Sequence, residues 1–133
     1  MRFKAVFMLG FVSLSLHAQR ISPEDDIVRR WLSEGNAPAA AAFLDATLLI
    51  SDDRAPEEKI RLFLLNAVAH AEMGSYTSAY RRVRQAEDLL EWTSFRDRLT
   101  YEDKARERIR SSIDLTLHDI RRAEGRARNE DMP

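Results

Sequence analysis

The sequence predicts an all-α protein built of stacked helix hairpins, and three observations carry that reading. Apolar residues recur at three- and four-residue steps along most of the chain, which is the period of one helix face. Gly35 and Gly74 each stand between two such runs, where a left-handed residue ends one helix and lets the next fold back. A third run, Tyr101, Ala105, Ile109, Ile113, Leu117 and Ile120, keeps helical spacing with no glycine inside it.

The order of segments begins with export. Arg2 and Lys4 precede the apolar run Ala5 to Leu16, which is too short for the ~20 residues that span a bilayer. Leu16-His17-Ala18 offers a cleavage site, so residues 1–18 are expected to be a secretory signal peptide, with an uncleaved anchor as the alternative. The chain contains no cysteine, which rules out both a lipid-carrying cysteine and a disulfide staple. Periplasmic localisation in a bacterium of the Gram-negative type follows as the expectation, with secretion beyond the envelope as its alternative. Removing 18 of the 133 residues leaves 115, the size of one domain with its own core. It also shifts the formal charge from −1 to −3. A balance so near neutral, with both signs intermixed, marks no nucleic-acid binder. The single helical domain is expected over 19–125, and 126–133, polar after Gly125, as a disordered tail.

Within the domain, Ser22-Pro23 with Glu24, Asp25 and Asp26 reads as a helix start, acids in the first turn matching the helix dipole. Ile27, Val28, Trp31 and Leu32 form its buried stripe, and Gly35-Asn36 ends it. Pro38 opens a second helix, Ala39 to Ile50, with Phe43, Leu44, Leu48 and an alanine-rich face. A polar connection, Ser51 to Glu58, follows. From Leu62 to Ala71 the next helix is apolar around most of its circumference, predicting burial on several sides. Gly74 stops it, Ser75 can cap the next, and Tyr76, Ala79, Tyr80, Val83, Ala86, Leu89 and Leu90 make that helix's stripe. Thr93-Ser94 and Thr100 with Asp103 are both possible starts for the last helix, the second having the form of a capping box. One long helix is expected there, with a break near Leu99-Thr100, closing the apolar end of the stack.

The segment Lys59 to Leu90 resembles a tetratricopeptide repeat: Ala67, Gly74, Tyr76, Ala79, Val83 and Ala86 stand at that motif's spacing. Asn66, His70 and Glu91 depart from it, the first two where the family is apolar and the third where it often has proline. An earlier hairpin is in register, since Gly35 and Gly74, Ala40 and Ala79, Leu44 and Val83, and Ile50 and Leu89 are each 39 residues apart. That exceeds the usual unit of ~34 residues, and the surplus fits the connection Ser51 to Glu58. The resemblance implies an α-solenoid-like fold of two tetratricopeptide-like hairpins plus a capping helix. It further implies that the first helix of each hairpin lines a concave surface that receives a peptide or helix of a partner protein. By position that surface comprises Asp25, Arg29, Leu32, Arg61, Leu64, Val68 and Glu72, unless the final helix fills it.

Residues that could carry chemistry are few. His17 leaves with the signal, and His70 and His118 lack companions at metal-ligand spacing, so no metal is expected. The paired carboxylates Asp25-Asp26, Asp52-Asp53 and Glu57-Glu58 sit at helix starts or in loops, where dipole complementarity accounts for them. The scattered glycines build no phosphate loop, and no cofactor is expected. Asn66 and His70, one turn apart, are either a satisfied polar contact inside the hairpin or the polar floor of a binding groove. Arg81, Arg82 and Arg84, then Arg121, Arg122, Arg126 and Arg128, are two basic clusters that serve as solvated faces or dock an acidic partner. The function these features predict is that of a non-catalytic adaptor binding another protein. The alternatives are a structural subunit of an envelope assembly, such as a secretion or flagellar apparatus, and a small ligand carrier or enzyme with its site near Asn66 and His70.

Overall fold

A computed structural model describes residues 23–96 and 103–131. The expected signal peptide and the expected break at Leu99-Thr100 lie outside the described residues. The described chain is all-α: α1 Pro23–Ser33, α2 Ala37–Leu49, α3 Pro56–Glu72, α4 Tyr76–Arg96 and α5 Asp103–Asp131. Helix α1 pairs with α2 and α3 with α4; α2 packs on α3, and α5 lies over both α3 and α4.

The two hairpin turns are built alike. Gly35 and Gly74 have φ of 78° and 81°, the left-handed region where a side chain is strained. At the first turn Asn36 N donates to Trp31 O (2.7 Å) and Gly35 N to Leu32 O (3.2 Å). At the second, Ser75 N donates to His70 O (2.9 Å) and Gly74 N to Ala71 O (3.0 Å). Both are Schellman motifs, and both satisfy helix-end carbonyls that would otherwise lack donors. The following helices also start alike, with Ala40 N bonded to Asn36 O and Ala79 N to Ser75 O. The Asn36 side chain adds a cap on Ala39 N (3.4 Å).

The core is one continuous cluster running from Val28 and Leu32 of α1 to Ile113 and Ile120 of α5. Its small members are all buried: Ala37, Ala40 and Ala41 of α2, Ala67, Ala69 and Ala71 of α3, and Ala79 and Ala86 of α4. The near-circumferential burial of α3 follows from its central position among α2, α4 and α5. Trp31 meets Phe43 edge-on across the first hairpin, with ring centroids 5.5 Å apart.

Three boundaries differ from the sequence-based expectation. Pro56, Glu57 and Glu58 are the first turn of α3 rather than connection, because proline at the first helical position and acids near the dipole's positive end favour helix. Thr93-Ser94 starts no helix. With Glu91 in place of a terminating proline, α4 runs on to Arg96, and Thr93 Oγ1 donates back to Leu89 O (2.7 Å). The capping-box start at Thr100 lies outside the described residues, which resume inside the helix at Asp103. Finally, 126–131 is helix and not a disordered tail. Gly125 is absorbed into α5 because good helix formers flank it, and Arg128 reaches Glu124 one turn back (3.6 Å).

Candidate functional site

Polar side chains converge where α2, α3 and α4 meet. Asn66 is fully buried on α3; its amide donates to Ala41 O of α2 (3.3 Å), and its Oδ1 accepts from Arg82 Nε of α4 (2.6 Å). The same guanidinium donates to Asp45 Oδ1 (3.0 Å) and Gln85 Oε1 (3.0 Å) and lies 5.9 Å from the centroid of the Phe63 ring. His70 Nε2 stands 3.2 Å from the same Asp45 oxygen. A carboxylate can only accept, so that nitrogen is the donor. Nδ1 is buried with no hydrogen-bond partner among the described residues. Burial pushes the Asp45 carboxyl up, but the hydrogen bonds from His70 and Arg82 outweigh it and hold the group below its ordinary value.

This arrangement holds helices together. One amide and one guanidinium bridge three helices, and each buried polar group except His70 Nδ1 has a partner. Of the two readings of Asn66 and His70, the geometry matches the satisfied contact inside the fold. Asp45 and Gln85 were not singled out from the sequence, and Arg82, read there as part of a basic face, turns instead onto Asn66 and Asp45. The signal that could have found them is Asn66 itself: an amide inside an apolar helix requires a donor and an acceptor from neighbouring helices.

The seven positions expected to line a concave surface are placed differently. Leu32, Leu64 and Val68 are buried members of the core, so no open apolar groove exists at them. Asp25 is only 1% exposed and stands 3.1 Å from Arg61 Nε. Arg29, Arg61 and Glu72 bury side-chain polar atoms, as does Arg106 of α5, and all of them are engaged with partners. The physical reason is the small size of the stack. Once a 29-residue helix packs along α3 and α4, little of the apolar face of α3 is left uncovered.

Helices α4 and α5 meet through two tyrosines rather than through the basic clusters. Tyr80 Oη donates to Glu124 Oε1 (2.9 Å), and Tyr76 Oη to Ala123 O (3.4 Å). Burial, then Glu124, raises the Tyr80 phenol, while Arg121 and Arg128 nearby pull it down. Arg84 pairs with Asp88 (3.3 Å) and Arg128 with Glu124 (3.6 Å), so acids are interleaved throughout. Elsewhere on α5, burial raises the Asp119 carboxyl against the opposing charges of His118 and Arg122.

A different surface stands out by exposure. Leu49 and Ile50, the last residues of α2 and its cap, are 82% and 78% exposed, and Trp92 near the end of α4 is 53% exposed. The connection beside them is pinned: Arg54 donates to Glu24 Oε2 (2.7 Å) and Glu58 Oε1 (3.0 Å), and its N–H to Ser51 O (3.0 Å).

Fold and site define a small all-α protein of two similarly turned helix hairpins closed by a long helix. Among the described residues no group of His, Cys, Asp or Glu could hold a metal ion, and no helix is long and apolar enough to cross a membrane. No protein-family model, curated protein or solved structure matches this chain.

Proposed function

We propose that this chain is a non-catalytic protein-interaction module, exported to the bacterial cell envelope and built on tetratricopeptide-like hairpins. The observation that carries the reading is the exposure of Leu49 and Ile50 on a stack whose other large aliphatic side chains are mostly packed away. Contiguous exposed apolar groups on a well-packed protein mark places where another surface docks. The network around Asn66 supports the same reading, because its polar groups are engaged in joining α2, α3 and α4. Arg2, Lys4 and the apolar run to Leu16 support export.

The second reading, a permanently built-in structural subunit, is favoured by the same exposed pair, since obligate subunits expose more apolar surface when alone. In-cell crosslinking followed by sizing of the native envelope extract separates the possibilities. An adaptor runs as a monomer when purified and in a larger complex with a different protein in the extract. Homo-oligomers of the purified chain give the structural-subunit reading. A chain that stays monomeric in the extract, or fractionates with the cytoplasm, refutes the proposal.

A further inference from the structure

We infer that the Leu49–Ile50 end of the stack, rather than any concave face, is the docking surface, and that its partner is a basic, apolar segment of another protein. The inference rests on the interaction-module reading and deepens it by naming the surface and the chemistry it selects.

Topology gathers this surface. Helix α2 ends at Leu49-Ile50, next to the start of α3, and Glu24 at the start of α1 is tied to the same place by Arg54. Helix α4 folds back along α3, so Trp92 near its end returns to the same end of the stack. Three large apolar side chains are thus presented at one end, two of them almost wholly in water. Tryptophan is among the side chains most enriched where interfaces hold their binding energy, and the two aliphatics add apolar area beside it.

Charge decides what can bury them. The chain flanking the pair carries Asp52, Asp53, Glu57 and Glu58 against Arg54 and Lys59. Arg54 is already committed to Glu24 and Glu58, and Lys59 reaches Asp52 only at 4.0 Å. Asp52, Asp53 and Glu57 are therefore exposed acids beside an exposed apolar pair. An acidic partner, or an anionic lipid surface, would meet like charge here. A segment with Lys or Arg flanking apolar side chains would be both attracted and buried.

The surface is also prepared in advance. Ser51 is fully buried and its hydroxyl donates to Leu48 O (2.9 Å), the Ile50 N–H is bonded to Thr47 O, and Arg54 clamps the connection. Backbone already held in one conformation loses little entropy on binding.

The test places a photo-crosslinking residue, benzoylphenylalanine, at Ile50 in the full chain in its native cells, with Arg122 at the opposite end of the stack as the control position. The expected result is an adduct from Ile50 only, mapped to a partner segment with lysine or arginine beside apolar residues. Asp52→Lys, Asp53→Lys and Glu57→Lys together should lower its yield by at least about tenfold, the change that one modest electrostatic contact makes to an equilibrium. All these positions are solvent-exposed, and circular dichroism verifies that each variant is folded. An adduct on an acidic or uncharged segment, an adduct with lipid, equal adducts from Arg122, or a yield indifferent to the charge reversal overturns the inference. So does a complex captured by a general crosslinker without any Ile50 adduct. If the general crosslinker captures no complex at all, the interaction-module reading itself falls.

Discussion

Asn66 and Arg82 should behave as one structural unit, and a double-mutant cycle measures how strongly. Asn66→Leu puts an apolar group of similar size in a fully buried position and strips Arg82 Nε of an acceptor at 2.6 Å. A hydrogen bond involving a charged group contributes ~1.5–3 kcal/mol. The Arg82 side chain is 22% exposed and keeps Asp45 and Gln85, so the stranded donor retains some solvation. The expected cost is therefore about 2 kcal/mol, in the lower half of that range. Arg82→Met removes the guanidinium, including its place over the Phe63 ring, and leaves Asn66 Oδ1 without its donor, at a similar cost of about 2 kcal/mol. In the double variant neither group is left stranded, so the summed losses should be undershot by ~1–2 kcal/mol. Urea unfolding followed by circular dichroism at neutral pH gives all four stabilities. In thermal melts each single variant should fall by roughly 8–16 °C, given ~4–8 °C per kcal/mol for a domain of about this size. Losses that add to within ~0.5 kcal/mol would refute the bridge, since independent sites are additive to that extent.

Three further outcomes test other parts of the structure. Gly74→Val should destabilise by ~1–2 kcal/mol: a Cβ there meets nothing within 4 Å, so the cost is that of a left-handed backbone, and an unchanged melting temperature would refute the turn. Gly125→Ala should stabilise by ~0.5–1 kcal/mol, because Gly125 lies inside α5 with open space at its Cβ; no gain would mean that the helix stops short of it. Asp45→Asn should separate from the parent chain in a pH-dependent way. The Asp45 pKa is lowered in the fold, so its contribution is present in full above the ordinary value of about 4 and is lost as pH falls through the lowered one. Urea midpoints at pH 7, 5 and 3 should show a gap that is the same at the first two and narrower at the most acid point, and a gap constant with pH would contradict the assignment.

Much of the framework is legible along the chain because it depends on neighbours in sequence. The helix starts at Pro23 and near Pro38, the stripe from Tyr76 to Leu90 and the two turn glycines all follow from local rules, and the structure has them. Local signals misled where they competed. Gly125 resembles a helix end, but a lone glycine costs a helix only ~0.5–1 kcal/mol, which the surrounding helix formers and packing outweigh. Thr93-Ser94 resembles a helix start, yet Thr93 is equally able to bond back to the carbonyl four residues earlier, and it does. Asn66 and His70 were recognisable as positions needing explanation, but Arg82 lies 16 residues from Asn66 and Asp45 25 residues from His70, and nothing local pairs them.

What the sequence by itself determined is therefore the all-α class, the paired hairpins, and the repeated left-handed turn 39 residues on, since each arises from hydrogen bonds and backbone preferences within a few residues. What only the tertiary structure decided is which faces remain in water. The same apolar Leu64 and Val68 could have lined a groove or joined a core, and the packing of α5 along α3 settles them in the core. Leu49 and Ile50, no different in kind, are left outside because they end a helix where no neighbouring element among the described residues covers them. Periodicity says that a face is apolar; only the number and placement of the helices available to cover it determine whether it is buried.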